Sequence, residues 1–139
     1  MAFVFCYESL KRLIKTLKTL KTKKMKINSV THGLLDYLVV VFLAASPKLF
    51  HLPEITSMFT YSLAGVHLLL TILTNFKFGL IKIIPFRIHG IIELLVSLSL
   101  VGVAFYFGSI ENELARNFYL CFAGAVFLTW ILTDYNSNK

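Results

Sequence analysis

The chain has 139 residues, of which 57% are apolar and only 15% charged, and its mean hydropathy of +0.74 sets it apart from water-soluble domains. Its net charge of +7 is unevenly spread: eight of the fourteen basic residues precede residue 27, most of the others flank apolar runs, and no aromatic-interleaved basic face accompanies them. These features exclude a soluble domain and a nucleic-acid-binding surface, and point to membrane spans whose charges set topology and meet anionic inner-leaflet lipid.

Residues 2–7 form an apolar run too short for a secretory signal, and the basic residues follow it instead of preceding it. Leu10, Leu13, Ile14, Leu17 and Leu20 then recur at helical spacing, with Lys11, Arg12, Lys15 and Lys18 between them. Residues 1–26 accordingly read as a basic amphipathic helix on the membrane surface, as a disordered basic leader, or as upstream sequence ahead of a start at Met25. Cys6 and Cys121 share no motif spacing, so neither a disulfide framework nor a cysteine-based zinc site is indicated.

Four apolar runs follow. The first extends from about Ser29 to Pro47 and ends where Pro47, Lys48, His51 and Pro53 make a short connection. The second covers about Ser57 to Phe76. A basic loop, residues 77–85, carries Lys77 and Lys82 without an acid, and Pro85 suits the first turn of the third run, Phe86 to Phe107. Glu111 and Glu113 precede the fourth run, about Leu114 to Tyr135, where acids suit a helix amino end. The expected fold class is all-α: a polytopic membrane protein with four transmembrane helices in a four-helix bundle, residues 27–76 and 86–139 forming two tandem helical hairpins.

The two halves resemble each other. His32, Gly33 and Asp36 match His89, Gly90 and Glu93 at one constant offset. Ala64-Gly65, Ile72-Leu73-Thr74 and Phe76 match Ala123-Gly124, Ile131-Leu132-Thr133 and Tyr135 at an offset two residues longer, the extra residues falling in the loop. An internal repeat of two-span units predicts a pseudo-twofold axis along the membrane normal. Basic residues number twelve in the amino-terminal segment, central connection and tail, against Lys48 and Arg116 on the other side. This bias places both termini and the central loop in the cytoplasm, and it keeps its sign, five against two, without residues 1–24.

Chemistry has one candidate location. His32 and Asp36, like His89 and Glu93, stand four residues apart and share a helix face, and a carboxylate inside a span must turn inward and find a partner. If the first and third helices face each other, two imidazoles and two carboxylates converge. That set suits zinc, iron or manganese, a proton relay, or haem ligation by the two histidines, while the absence of Glu-x-x-His argues against a di-iron centre. The simplest reading is that the pairs are intramembrane helix contacts, with Gly33, Gly90, Gly65 and Gly124 as small residues permitting close helix packing. His67, matched by Val126, reads as an isolated bonded histidine or a lumen-facing polar group outside any symmetric site, Tyr61, Tyr106, Tyr119 and Tyr135 read as interface anchors, and Trp130, which lies deeper, as an anchor or a packing residue.

No nucleotide loop, nucleophile elbow or metalloprotease helix is present in the sequence, which argues against soluble catalysis. The expected role is structural or interaction, with the lipid bilayer as partner, homo-oligomers or a membrane-protein partner left open, and the cofactor unknown. The tandem two-helix units, with Ala45-Ser46-Pro47 closing the first span, resemble the small bacterial membrane proteins of the SPW-repeat kind over residues 27–135. Lys48 stands where that family often has an aromatic residue, and Val103-Ala104 replaces Ser-Pro in the second copy. The resemblance implies a bacterial inner (cytoplasmic) membrane protein and carries no mechanism.

Overall fold

The computed structural model describes Lys11 and residues 26–137. The amphipathic pattern from Leu10 to Leu20 and Cys6 lie outside the described residues, Lys11 apart. Four helices dominate: α1 (Ser29–Leu49), α2 (Glu54–Leu73), α3 (Phe86–Ile110) and α4 (Glu113–Leu132). All four are long and apolar enough to cross a membrane, and each buries only 22 to 33% of its most apolar window inside the protein.

Helix ends follow from local chemistry. Asn28 and Asn112 cap α1 and α4, their side-chain oxygens accepting from Thr31 N at 2.9 Å and Ala115 N at 3.0 Å. Pro53, at the start of α2, offers no side-chain cap. Glu111, in the turn after α3, supplies one instead, accepting from Ile55 N at 2.8 Å, Thr56 N at 2.9 Å and the Thr56 hydroxyl. The carboxylate expected to serve its own following helix therefore caps a different one.

The helix boundaries differ from the apolar runs at several places; α2 begins already at Glu54 and α3 continues past Phe107 to Ile110. α1 continues past Pro47 to Leu49, since Pro47 falls in the last turn and the Ser46 hydroxyl donates to the Leu43 carbonyl at 3.0 Å, the group a proline nitrogen leaves without its usual donor. α2 and α4 stop at Leu73 and Leu132, ahead of Phe76 and Tyr135. The chain beyond each is held in extended pairing: β1 (Thr74–Asn75) lies parallel to β2 (Ile84–Pro85), in register Thr74 with Ile84, and an isolated parallel bridge joins Ile27 to Thr133. The central link is thus partly structured.

α1 packs mainly on α2, and α3 on α4. The apolar core is formed by Leu43, Ala64, Leu100, Ala104, Phe107, Ala115, Tyr119, Phe122 and Ala123. Tyr119 is fully buried, its hydroxyl 2.5 Å from Thr60 Oγ1, so it is a core residue and not the interface anchor its position near a span end suggested. Tyr61 and Tyr106 are exposed.

Candidate functional site

α1 and α3 each present a histidine and, one turn further in, a carboxylate. His32 and His89 are fully buried, and Asp36 and Glu93 nearly so at 2% and 5% exposure. One donor atom from each of the four lies within 4.8 Å of every other. His32 Nε2 is 3.3 Å from Asp36 Oδ1 and 3.4 Å from Glu93 Oε2, while His89 Nε2 is 3.5 Å from Asp36 Oδ2 and 3.8 Å from Glu93 Oε1. The two Nε2 atoms are 3.5 Å apart. Each acid therefore lies near both histidines.

The far side of each imidazole fixes its protonation pattern. His32 Nδ1 is 2.9 Å from Thr133 Oγ1, and His89 Nδ1 is 2.8 Å from Thr74 Oγ1. Both hydroxyls already donate their single proton to backbone, Thr133 to the Thr129 carbonyl at 2.7 Å and Thr74 to the Leu70 carbonyl at 2.6 Å. Each threonine must then accept from Nδ1–H, and in the neutral imidazole Nε2 is left with a lone pair directed at the cluster centre. The two threonines end α2 and α4, so each histidine is oriented from the half of the chain to which it does not belong.

Tyr135 adds a further bond, its hydroxyl donating to Glu93 Oε2. Burial, and next the charge of Glu93, push the Tyr135 phenol well above its ordinary range, so it remains a protonated donor. Its ring occupies the space over Gly90, where an added Cβ would come within 2.6 Å of Tyr135 Cε1; over Gly33 the ring of Phe76 fills the same space still more closely. Both glycines admit an aromatic ring. Phe76 and Phe86, 2% and 3% exposed, cover the cluster at the helix ends, the Phe86 ring lying 5.3 Å from that of His32.

Some expected positions act differently. Gly65 and Gly124 face outward, where an added Cβ would meet nothing within 4 Å, and the buried small residues are their neighbours Ala64 and Ala123. Tyr135, which its place near a span end marks as an interface anchor, bonds a carboxylate of the cluster. His67 lies at the edge of the cluster, its Nε2 3.8 Å from Asp36 Oδ1. Haem does not suit the arrangement, because the imidazoles approach each other too closely and the carboxylates stand where a macrocycle would pass between them.

The four groups form a donor set that could hold a cation. One donor atom from each residue, two imidazole nitrogens and two carboxylate oxygens within 4.8 Å of one another, is a ligand set of the kind that zinc, iron or manganese accepts. The fold and the site define the class: a multi-span helical bundle carrying a buried cluster of two histidines and two carboxylates. No protein-family model matches the chain, nor does any curated protein or solved structure.

Proposed function

We propose that this is a metal-binding integral membrane protein, holding a divalent first-row transition ion between His32, Asp36, His89 and Glu93. One observation carries the reading: both Nδ1–H groups are committed to threonines, so two Nε2 lone pairs and two carboxylates converge where a cation belongs. A dication also balances the two carboxylates, which makes the cluster tolerable at membrane depth. The outer hydrogen bonds, from His89 Nδ1–H to Thr74, from His32 Nδ1–H to Thr133 and from the Tyr135 hydroxyl to Glu93, are of the kind that orient metal ligands.

The setting belongs to the same proposal. The two helix pairs are hairpins related by a pseudo-twofold axis along the membrane normal, a reading supported by the sequence offsets and by the matched bonds of Thr74 to His89 and Thr133 to His32. The basic-residue bias supports a cytoplasmic side for the termini and the central loop, and the resemblance to SPW-repeat proteins implies a bacterial inner membrane. Asp36 and Glu93 then lie about two helical turns inside the cytoplasmic boundary, with His32 and His89 one turn nearer the water.

The test is equilibrium dialysis of detergent-purified protein against Zn²⁺, followed by elemental analysis, for the wild type and for His32→Ala with His89→Ala. Near-stoichiometric zinc in the wild type and its loss in the double variant are expected. Wild-type protein that retains no metal, paired with a variant that merely melts lower, would reassign the four groups as helix contacts.

A further inference from the structure

Residues 77–83, Lys-Phe-Gly-Leu-Ile-Lys-Ile, combine four large apolar side chains with Lys77 and Lys82 and contain no acid. A connection lying in water would turn such apolar side chains inward. Here they stand outward: Leu80 and Ile83, 76% and 70% exposed, are the two most exposed large apolar side chains among the described residues, and Phe78 and Ile81 are exposed as well. Four such side chains within six residues, flanked by charge of one sign, mark an interaction surface.

Four backbone donors of the same segment are paired within the protein. Gly79 N donates to the Phe76 carbonyl at 3.1 Å, Leu80 N and Ile81 N both donate to the Ile72 carbonyl at 3.0 and 3.1 Å, and Ile83 N donates to the Leu73 carbonyl at 2.9 Å. Ile72 and Leu73 lie in the last turn of α2, where carbonyls lack a partner in their own helix. The segment also folds back on the bundle, since the hydroxyl of Tyr37, the residue after Asp36 in α1, donates to the Phe78 carbonyl at 3.0 Å. Irregular backbone can enter an apolar medium only where its polar groups are met by protein, and this pairing meets that requirement at the places where the apolar side chains emerge.

We propose that residues 77–83 are a lipid-docking element: Phe78, Leu80, Ile81 and Ile83 enter the boundary between acyl chains and headgroups of the adjoining leaflet, and Lys77 and Lys82 bind the phosphates of anionic headgroups there. Charge complementarity selects this occupant. The segment joins the ends of two spans, so a membrane surface passes it, and apolar side chains beside unopposed lysines match acyl chains lying beneath phosphate. The connection that the sequence marks as a basic cytoplasmic loop is then part of the membrane surface on that side. The proposal does not depend on the metal reading, although Phe76 and Phe86, which cover the cluster, stand on either side of the segment.

The experiment places a tryptophan at position 80 or 83 of the full chain, with Trp130→Phe so that the probe is the only indole. The protein is reconstituted into phosphatidylcholine vesicles containing a graded share of phosphatidylglycerol, one or the other lipid being brominated on its acyl chains as a quencher. Both probe sites are exposed, so Leu80→Trp and Ile83→Trp spare the packed bundle. Both indoles should be quenched, and phosphatidylglycerol should be preferred over phosphatidylcholine by roughly fivefold per lysine. Lys77→Gln with Lys82→Gln should keep the quenching and abolish the preference. Unquenched, red-shifted emission from both probes would put the segment in water and overturn the proposal; unquenched, blue-shifted emission would overturn it in favour of a second copy of the chain covering the segment. Quenching without a preference, or a preference that survives the double glutamine variant, would overturn the assignment of the lysines to anionic headgroups.

Discussion

His32 and His89 meet Nε2 to Nε2 at 3.5 Å, and each donates its outer hydrogen bond to the opposite half of the chain, His32 to Thr133 and His89 to Thr74. The cross-connection makes each helix pair dependent on the other for the orientation of its own histidine. Thr74→Val or Thr133→Val removes the acceptor while keeping the side-chain shape, so the imidazole is free to rotate or to change tautomer. Metal affinity should fall by roughly 10- to 100-fold for either change, the range found for outer-shell ligand partners. Serine at either position should recover most of it. Competition with a chromophoric chelator measures the effect, and unchanged affinity in both valine variants would remove the threonines from the site.

Tyr135 gives a pH-dependent prediction outside the spans. Its folded value is raised above the ordinary 10.0, so the folded protein retains a proton that the unfolded chain gives up. The associated stability is fully present below pH 10 and declines as pH rises through the unfolded value towards the folded one. Tyr135→Phe keeps the ring over Gly90 and abolishes this dependence. The variant should be less stable at neutral pH by about 1.5–3 kcal/mol, for one hydrogen bond to a charged group. The gap between variant and wild type should narrow above pH 10, as read by thermal melts in detergent. A gap that is constant with pH would show that the phenol donates nothing to Glu93.

The four spans are legible in the sequence because membrane helices write their length as apolar runs, and His32, Asp36, His89 and Glu93 stand out because a charge inside such a run needs a reason. The threonines do not stand out. Hydroxyl residues are common along these helices, and what brings Thr74 and Thr133 to the imidazoles is the pairing of Thr74 with Ile84 and of Ile27 with Thr133, set by contacts distant in sequence. The orientation of Gly65 and Gly124 is equally hidden. Helices apolar on most of their circumference do not declare their inner face, and an alanine beside each glycine can fill the same role. The match of His67 to Val126 hides its place beside Asp36, since proximity in the bundle does not require a matched copy.

The glycines separate into two classes. At Gly33 and Gly90 a methyl group would collide with the ring of Phe76 or Tyr135, whereas at Gly65 and Gly124 it would meet nothing within 4 Å. Gly33→Ala and Gly90→Ala should each destabilise by about 1–3 kcal/mol, the usual penalty of overpacking. They should also displace Phe76 or Tyr135. Gly65→Ala and Gly124→Ala should be neutral or stabilising by up to about 1 kcal/mol, since alanine is the better helix former. Equal losses at all four positions would restore the close-packing role that their sequence setting suggests, through a contact of Gly65 and Gly124 outside the single chain.

Glu111 provides a last prediction, at the opposite end of the bundle from the histidines. Its two carboxylate oxygens accept from Ile55 N, Thr56 N and the Thr56 hydroxyl, satisfying the first turn of a helix that Pro53 leaves without a side-chain cap. Glu111→Ala would expose these donors and remove the negative charge from the positive end of α2, so a loss of about 1–2 kcal/mol is expected. Glu111→Gln should lie between the two, because an amide oxygen still accepts one bond but carries no charge. Neither change touches the metal ligands, so zinc stoichiometry should remain that of the wild type while the melting temperature falls. If metal were lost along with stability, the two ends of the bundle would be coupled through the packing of α2 against α1, the helix that carries His32 and Asp36.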